Sequence, residues 1–228
     1  MKKANLRQER EWHRREDYKR FILKAAGDVI ARKGYSATTM DDVAEEAQFS
    51  KATLYHYFKS KGEMIFEIIA GYFEELKKKL AEIQKMEKNT REKLRQAIEC
   101  VLEFHEEKEN ISQVFMMDES IMKKMKIFIT DQQKLTSDVD RKYVNLIRNE
   151  RDEIFKVICE LLREGVAARE FRKMNIAAAA TFLGALLQGY CHGKFWLQRS
   201  YSRSEESNLL YSFFLRGIEE RKEHGKGE

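Results

Sequence analysis

Not one of the 228 residues is proline, and only eleven are glycine. Proline removes a helix donor and clashes with the preceding turn, while glycine supplies the positive φ of tight turns. A chain this poor in both cannot be rich in tight turns, so the expected fold class is all-α. Apolar residues make up 43% and charged residues 36%. That is enough for a packed core and too charged for a membrane protein, and the length suits one or two domains. The longest apolar run, from Ile176 to Leu187 and on to Tyr190, is interrupted by Gln188 and falls short of the roughly 20 residues a bilayer span needs. No apolar segment follows the N-terminus in the manner of a secretory signal. Three cysteines, an odd number without framework spacing, are expected to be reduced thiols in a cytoplasmic protein with no membrane partner.

Helical periodicity is legible along the chain. Tyr18, Ile22, Ala25 and Val29, with Phe21, Ala26 and Ile30 alongside, form an apolar stripe that Lys33-Gly34 stops. Thr39 offers a hydroxyl cap, Asp41 and Asp42 suit the following first turn, and Val43, Ala44 and Ala47 supply a buried face. Gln48-Phe49 makes a turn. Ser50 then caps a third helix with Leu54 and Phe58 inward and Lys51, Thr53, Tyr55, His56 and Tyr57 outward. Residues 39–58 therefore hold two short helices and a turn, the size and pattern of a helix-turn-helix that places one helix in the major groove of DNA. Ser60 caps a fourth helix that runs past Lys79, so the boundary between two domains falls inside a continuous helix. Further helix starts are expected at Asn89-Thr90, Asn110, Thr130-Asp131, Asn175 and Ser204.

The run Gly34-Tyr35-Ser36-Ala37-Thr38-Thr39-Met40, then Ala44, then 51–61 from Lys51 to Lys61, resembles the DNA-binding domain of the TetR family. More weakly, 162–171, 176–196 and Leu215-Arg216-Gly217-Ile218 are similar to the family's last helices. The resemblance implies a helix-turn-helix DNA-binding domain over 15–75 and a helical ligand-binding and dimerisation domain over 76–228. It implies a homodimeric transcriptional repressor on a palindromic operator in double-stranded DNA, released by a small-molecule effector. Gln48 departs from the pattern, which often has glycine in the turn. Glutamine costs of order 1 kcal/mol there if the residue is left-handed.

The candidate DNA-binding residues are Thr39, Ser50, Lys51, Ala52, Thr53, Tyr55, His56, Tyr57 and Lys61. Lys51 and Thr53 lie near the start of the third helix, where it meets base edges or phosphate, and Ala52 lets the backbone approach the bases. Tyr55 offers a ring to thymine methyls, and His56 can donate to guanine or phosphate. The resemblance places backbone contacts at Tyr57 and Lys61, and Thr39 with the N–H groups opening the second helix can hold another phosphate. Tyrosines here can also pack within the domain. Basic residues outnumber acidic ones ahead of the motif, which reads either as a DNA-contacting arm or as a solvated helix.

For the effector, Phe104, His105, Phe115, Met116, Met117, Ile121, Met125, Phe128, Tyr143, Ile147 and Phe155 can line an adaptable apolar pocket, or can be ordinary core. Such a lining suits a hydrophobic ligand. Leu183, Leu186, Leu187, Tyr190, Leu210, Phe213 and Phe214 are candidates for a four-helix dimer interface, the alternative being the monomer's own core. No enzyme class finds support. His105-Glu106 lacks the second histidine of a zinc-protease motif, and Gly189 to Lys194 is too short for a phosphate-binding loop. No metal site or cofactor is expected, since no histidine or cysteine spacing matches a zinc pattern. The remaining rival is a helical protein-interaction module without sequence-selective DNA binding.

Overall fold

The computed structural model describes residues 2–108, 111, 138–197 and 201–219. Among them are eight α-helices: α1 Lys2–Lys33, α2 Met40–Glu46, α3 Lys51–Tyr57, α4 Lys61–Gln84, α5 Thr90–Glu107, α6 Asp138–Ala167, α7 Ile176–Leu197 and α8 Arg203–Ile218. The only extended pairing among the described residues is an isolated antiparallel bridge between Phe171 and Glu219. The described residues divide into two compact units. One takes Met1–Tyr72 with Glu109–Arg148, the other Phe73–Lys108 with Asn149–Glu228, so the division cuts α4 between Tyr72 and Phe73.

The first unit is organised by the small residues read above. Ile22, Ala26, Val43, Ala44, Leu54, Phe58 and Met64 close into one core, with Met40, Phe49, Tyr57 and Ile68 partly buried against it. Alanines at 26 and 44 permit close approach of α1 and α2. Lys33-Gly34 ends α1 as expected: Gly34 has φ of 81°, and its N–H donates to Ile30 at 2.8 Å. Thr39 caps α2 in a reciprocal box, its hydroxyl accepting from the Asp42 N–H and its N–H donating to the Asp42 carboxylate at 2.9 Å. Lys19 braces α1 against α4 through Glu67 at 3.0 Å, with its ammonium 5.6 Å from the Phe58 ring centre. Phe21 departs from the expected stripe: it is 64% exposed, because the packed face of α1 centres on Ile22, Ala26 and Val29.

In the second unit α5 packs closely with α8. Leu94, Ile98, Leu102 and Phe104 of α5 are buried, as are Leu210, Phe214 and Ile218 of α8. The N-terminus of α5 is held from far along the chain. The Glu170 carboxylate accepts from the Thr90 and Arg91 N–H groups at 3.3 and 2.9 Å, adding to the Asn89 cap. The Arg172 N–H donates to the Ile218 carbonyl at 2.8 Å, so the same loop also fastens the end of α8. Asn175 opens α7 as expected, accepting from the Ala178 N–H. The last helix starts at Ser202 and not Ser204, because only Ser202 finds a glutamate at the third helical position, Glu205, to complete a capping box. The expected starts at Asn110 and Thr130-Asp131 lie outside the described residues.

Candidate nucleic-acid interface

The second and third helices are joined by Ala47, Gln48 and Phe49. Gln48 takes φ of 56°, the left-handed conformation, and the Phe49 N–H folds back onto the Ala44 carbonyl at 2.9 Å. Ser50 then caps α3, accepting from the Thr53 N–H at 3.1 Å, and the two hydroxyls lie 2.8 Å apart. With Leu54 and Phe58 fully buried beneath, the turn and the two anchors fix which side of α3 faces solvent.

That side carries Lys51, Ala52, Tyr55 and His56, all exposed, with Thr53 and Tyr57 half-buried at its flanks. Ala52 lies at i−3 and i−4 from Tyr55 and His56, so the three share one face with the smallest residue between the two rings and the helix start. Tyr55 is 43% exposed. Tyr57 leans inward, its ring edge-on to Tyr18 at 6.3 Å and to His56 at 5.3 Å, so it serves the packing as well as the surface. Thr39 is exposed at the start of α2.

The first-turn carboxylates Asp41 and Asp42 also take lysine partners that the sequence did not reveal. Asp41 pairs with Lys51 at 2.6 Å across the two exposed helix starts, and that hydrogen bond raises the lysine pKa. Asp42 is held down to about 2, first by the hydrogen bond from Lys33 and then by those from Thr39. Lys61 is placed differently from a free phosphate contact. Its ammonium donates to the carbonyls of Tyr35, Ser36 and Thr38 at 2.5, 3.2 and 2.7 Å and lies 4.5 Å from the Tyr35 ring centre. It ties down the loop that delivers Thr39.

The remaining candidates separate. Phe104 is fully buried, with the ammonium groups of Lys79 and Lys108 5.4 and 5.9 Å from its ring centre. His105 is half-buried, and that burial lowers its pKa. Ile147 is buried and Phe155 exposed. Phe115, Met116, Met117, Ile121, Met125, Phe128 and the side chain of Tyr143 lie outside the described residues. Of the interface candidates, Leu183, Leu187, Leu210 and Phe214 are buried within the chain itself, while Leu186 and Tyr190 are half-buried. Burial raises the Tyr190 pKa, as does its hydrogen bond to the buried Glu206. Phe213 alone is open, at 73%, and Phe182 on α7 and Leu209 on α8 are further open apolar side chains. Among the described residues no cluster of histidine, cysteine and carboxylate could hold a metal, and no helix is long and apolar enough to cross a membrane.

A capped, seven-residue helix that turns small, aromatic and basic side chains outward beside a left-handed turn has the form of the second helix of a helix-turn-helix. Residues 22–68 match the family described as bacterial regulatory proteins, tetR family. Over 105 residues the chain is 34% identical to the HTH-type transcriptional regulator YhgD of Bacillus subtilis strain 168, covering 46% of this chain and 55% of that one. It is 27% identical over 151 residues to the HTH-type transcriptional repressor KstR2 of Mycolicibacterium smegmatis, 66% of each chain. The chain thus spans about half the length of the first relative. The TetR-family regulator PfmR of Thermus thermophilus superposes with a TM-score of 0.65 at 24% identity, over 87% of this chain and 99% of that one. The regulator FadR of Bacillus subtilis, solved with stearoyl-CoA, gives 0.67 at 18%, over 87% and 98%. These two likenesses are of fold. Residues 22–68 thus form a domain of the TetR family. Each of these proteins is named as a regulator and none as an enzyme, and the interaction-module alternative is not favoured.

Proposed function

We propose that this chain is a homodimeric, cytoplasmic repressor that reads a palindromic operator with α3 and leaves it on binding a small hydrophobic effector. The observation that carries the reading is the exposed Ala52, Tyr55 and His56 face over the buried Leu54 and Phe58. Lys51 and Thr53 at its start, with Thr39 at the start of α2, supply donors for base edges and phosphates. One such helix covers only a few base pairs, so two copies must act about 34–36 Å apart. We assign the pairing surface to Phe182 of α7 with Leu209 and Phe213 of α8, because these stay open while Leu183, Leu187, Leu210 and Phe214 are consumed by the chain's own core. The hydrophobic effector is supported by two structural relatives, one solved with stearoyl-CoA and one named for ketosteroids. His105, whose pKa is lowered by burial, suits a polar group on such a ligand. A ligand that prefers the non-binding conformer by about 1.4 kcal/mol lowers operator affinity tenfold.

The test is selection of duplexes from a random-sequence library by the purified chain. A palindromic site should emerge, and Tyr55→Ala should narrow the gap between that site and unrelated DNA. Enrichment of no sequence by the wild-type chain would end the proposal.

A further inference from the structure

α1 begins at Lys2, yet from Arg10 onward its first buried residue is Ile22. Tyr18 ties the helix to the domain, edge-on to Phe49 at 5.3 Å and to Tyr57 at 6.3 Å. Phe49 stands in the turn before α3 and Tyr57 at the end of α3. The extension therefore leaves the domain beside the reading helix, and its sixteen residues ahead of Tyr18 run for about 24 Å at 1.5 Å each. Residues 10–15 are all exposed, Trp12 at 59% with only the edge of His13 against it. Residues 10–15 bury nothing in the core, and an unpacked helix is marginal in water.

Its charge says what would steady it. Residues 2–16 hold six basic side chains against three acidic ones. Arg10, Arg14 and Arg15 make no ion pair among the described residues, and Arg10 and Arg14, one turn apart on one face, repel each other. Guanidinium groups in this state match phosphate oxygens in geometry and sign. We propose that the N-terminal extension of α1 is a second DNA contact that lies along the phosphate backbone flanking the operator. The contact rests on the reading of α3 given above. Its length covers about seven base pairs beyond each reading helix at 3.4 Å per step. It adds affinity and not selectivity, since phosphates carry no sequence information.

The experiment uses the full chain and the variant Arg10→Gln/Arg14→Gln/Arg15→Gln, with deletion of residues 2–15 as a second form. Each is titrated at several salt concentrations against the selected duplex and an unrelated one. With about 0.9 of slope per phosphate neutralised, and three arginines in each of two protomers, the dependence of log affinity on log salt should flatten by about 2 to 5. Both duplexes should lose affinity alike, and hydroxyl-radical protection should retreat by about seven base pairs on each side. An unchanged slope and footprint with selectivity intact overturns the arm contact and leaves the α3 reading standing. If no duplex is selected by any form, the α3 reading falls and the arm contact with it. If the variant instead loses only its binding to phosphatidylglycerol vesicles, the extension is a membrane contact and the proposal fails.

Discussion

Replacing Gln48 with glycine should stabilise the helix-turn-helix. Gln48 sits at φ of 56°, where a Cβ crowds the backbone at a cost of about 1–2 kcal/mol that glycine does not incur. Glycine gives back about 0.4–1 kcal/mol through its greater freedom in the unfolded chain. The difference leaves a gain of about 1 kcal/mol. Little else changes: the side chain is exposed, and the backbone bond from the Gln48 N–H to Glu45, at 3.0 Å, does not depend on it. Gln48→Ala keeps the Cβ and should stay within about 0.5 kcal/mol of wild type. The readout is hydrogen exchange at the amides of Leu54 and Phe58, which donate to Ser50 and Leu54. A gain of about 1 kcal/mol slows their exchange roughly fivefold if they open with the domain. Equal slowing in the alanine variant would show that the Cβ is not the source, and faster exchange in the glycine variant would refute the strain argument outright.

Three other outcomes follow from the geometry. The depressed pKa of Asp42 means its contribution is fully present above the unfolded value of about 3.9 and is lost as pH falls through about 2. Acid unfolding of Asp42→Asn should therefore be flatter between about pH 4 and pH 2, and an identical profile would dismiss the cap's role. Gly165→Ala would drive a Cβ into the fully buried Phe171 ring, well inside contact distance, so it should lower the melting temperature despite alanine's better helix propensity. Gly71→Ala, in a helix with nothing within 4 Å, should raise it, and a rise in both variants would show that Phe171 yields. Asp41→Asn should tighten binding to every duplex by freeing Lys51 and removing a carboxylate that competes with phosphate for it. Unchanged affinity at low salt would mean Lys51 does not face the backbone.

The parts legible in the sequence are those where one residue type answers one local need. Thr39, Ser50, Ser60 and Asn89 cap helices because hydroxyl and amide side chains reach N–H groups three residues on. Leu54 and Phe58 are inward because helical spacing allows only one buried stripe on so short a helix. The fate of Lys61 was not legible, since nothing local shows that three carbonyls some 25 residues earlier converge on it. The last helix was ambiguous for a different reason. Leu209-Leu210 and Phe213-Phe214 are two apolar doublets four apart, so either register makes a stripe. The structure buries Leu210 and Phe214, together with Glu206 and Ser207, whose polarity argues for the opposite choice. The buried carboxylate takes the Tyr190 hydroxyl, a partner on another helix that spacing cannot reveal.

The long-range bonds that fasten α5 and α8 at both ends bear on how the chain is made. Arg203 binds Glu103 and Glu106 across a hundred residues, and Glu170 cannot cap α5 before it has been synthesised. Contacts this remote in sequence form slowly, because the intervening segment must be ordered first. The second unit therefore waits for α8 to leave the ribosome, whereas the core of Ile22 to Met64 can assemble before it. A messenger cut short of α8 would thus yield polypeptides in which the first core is formed and the second unit is not.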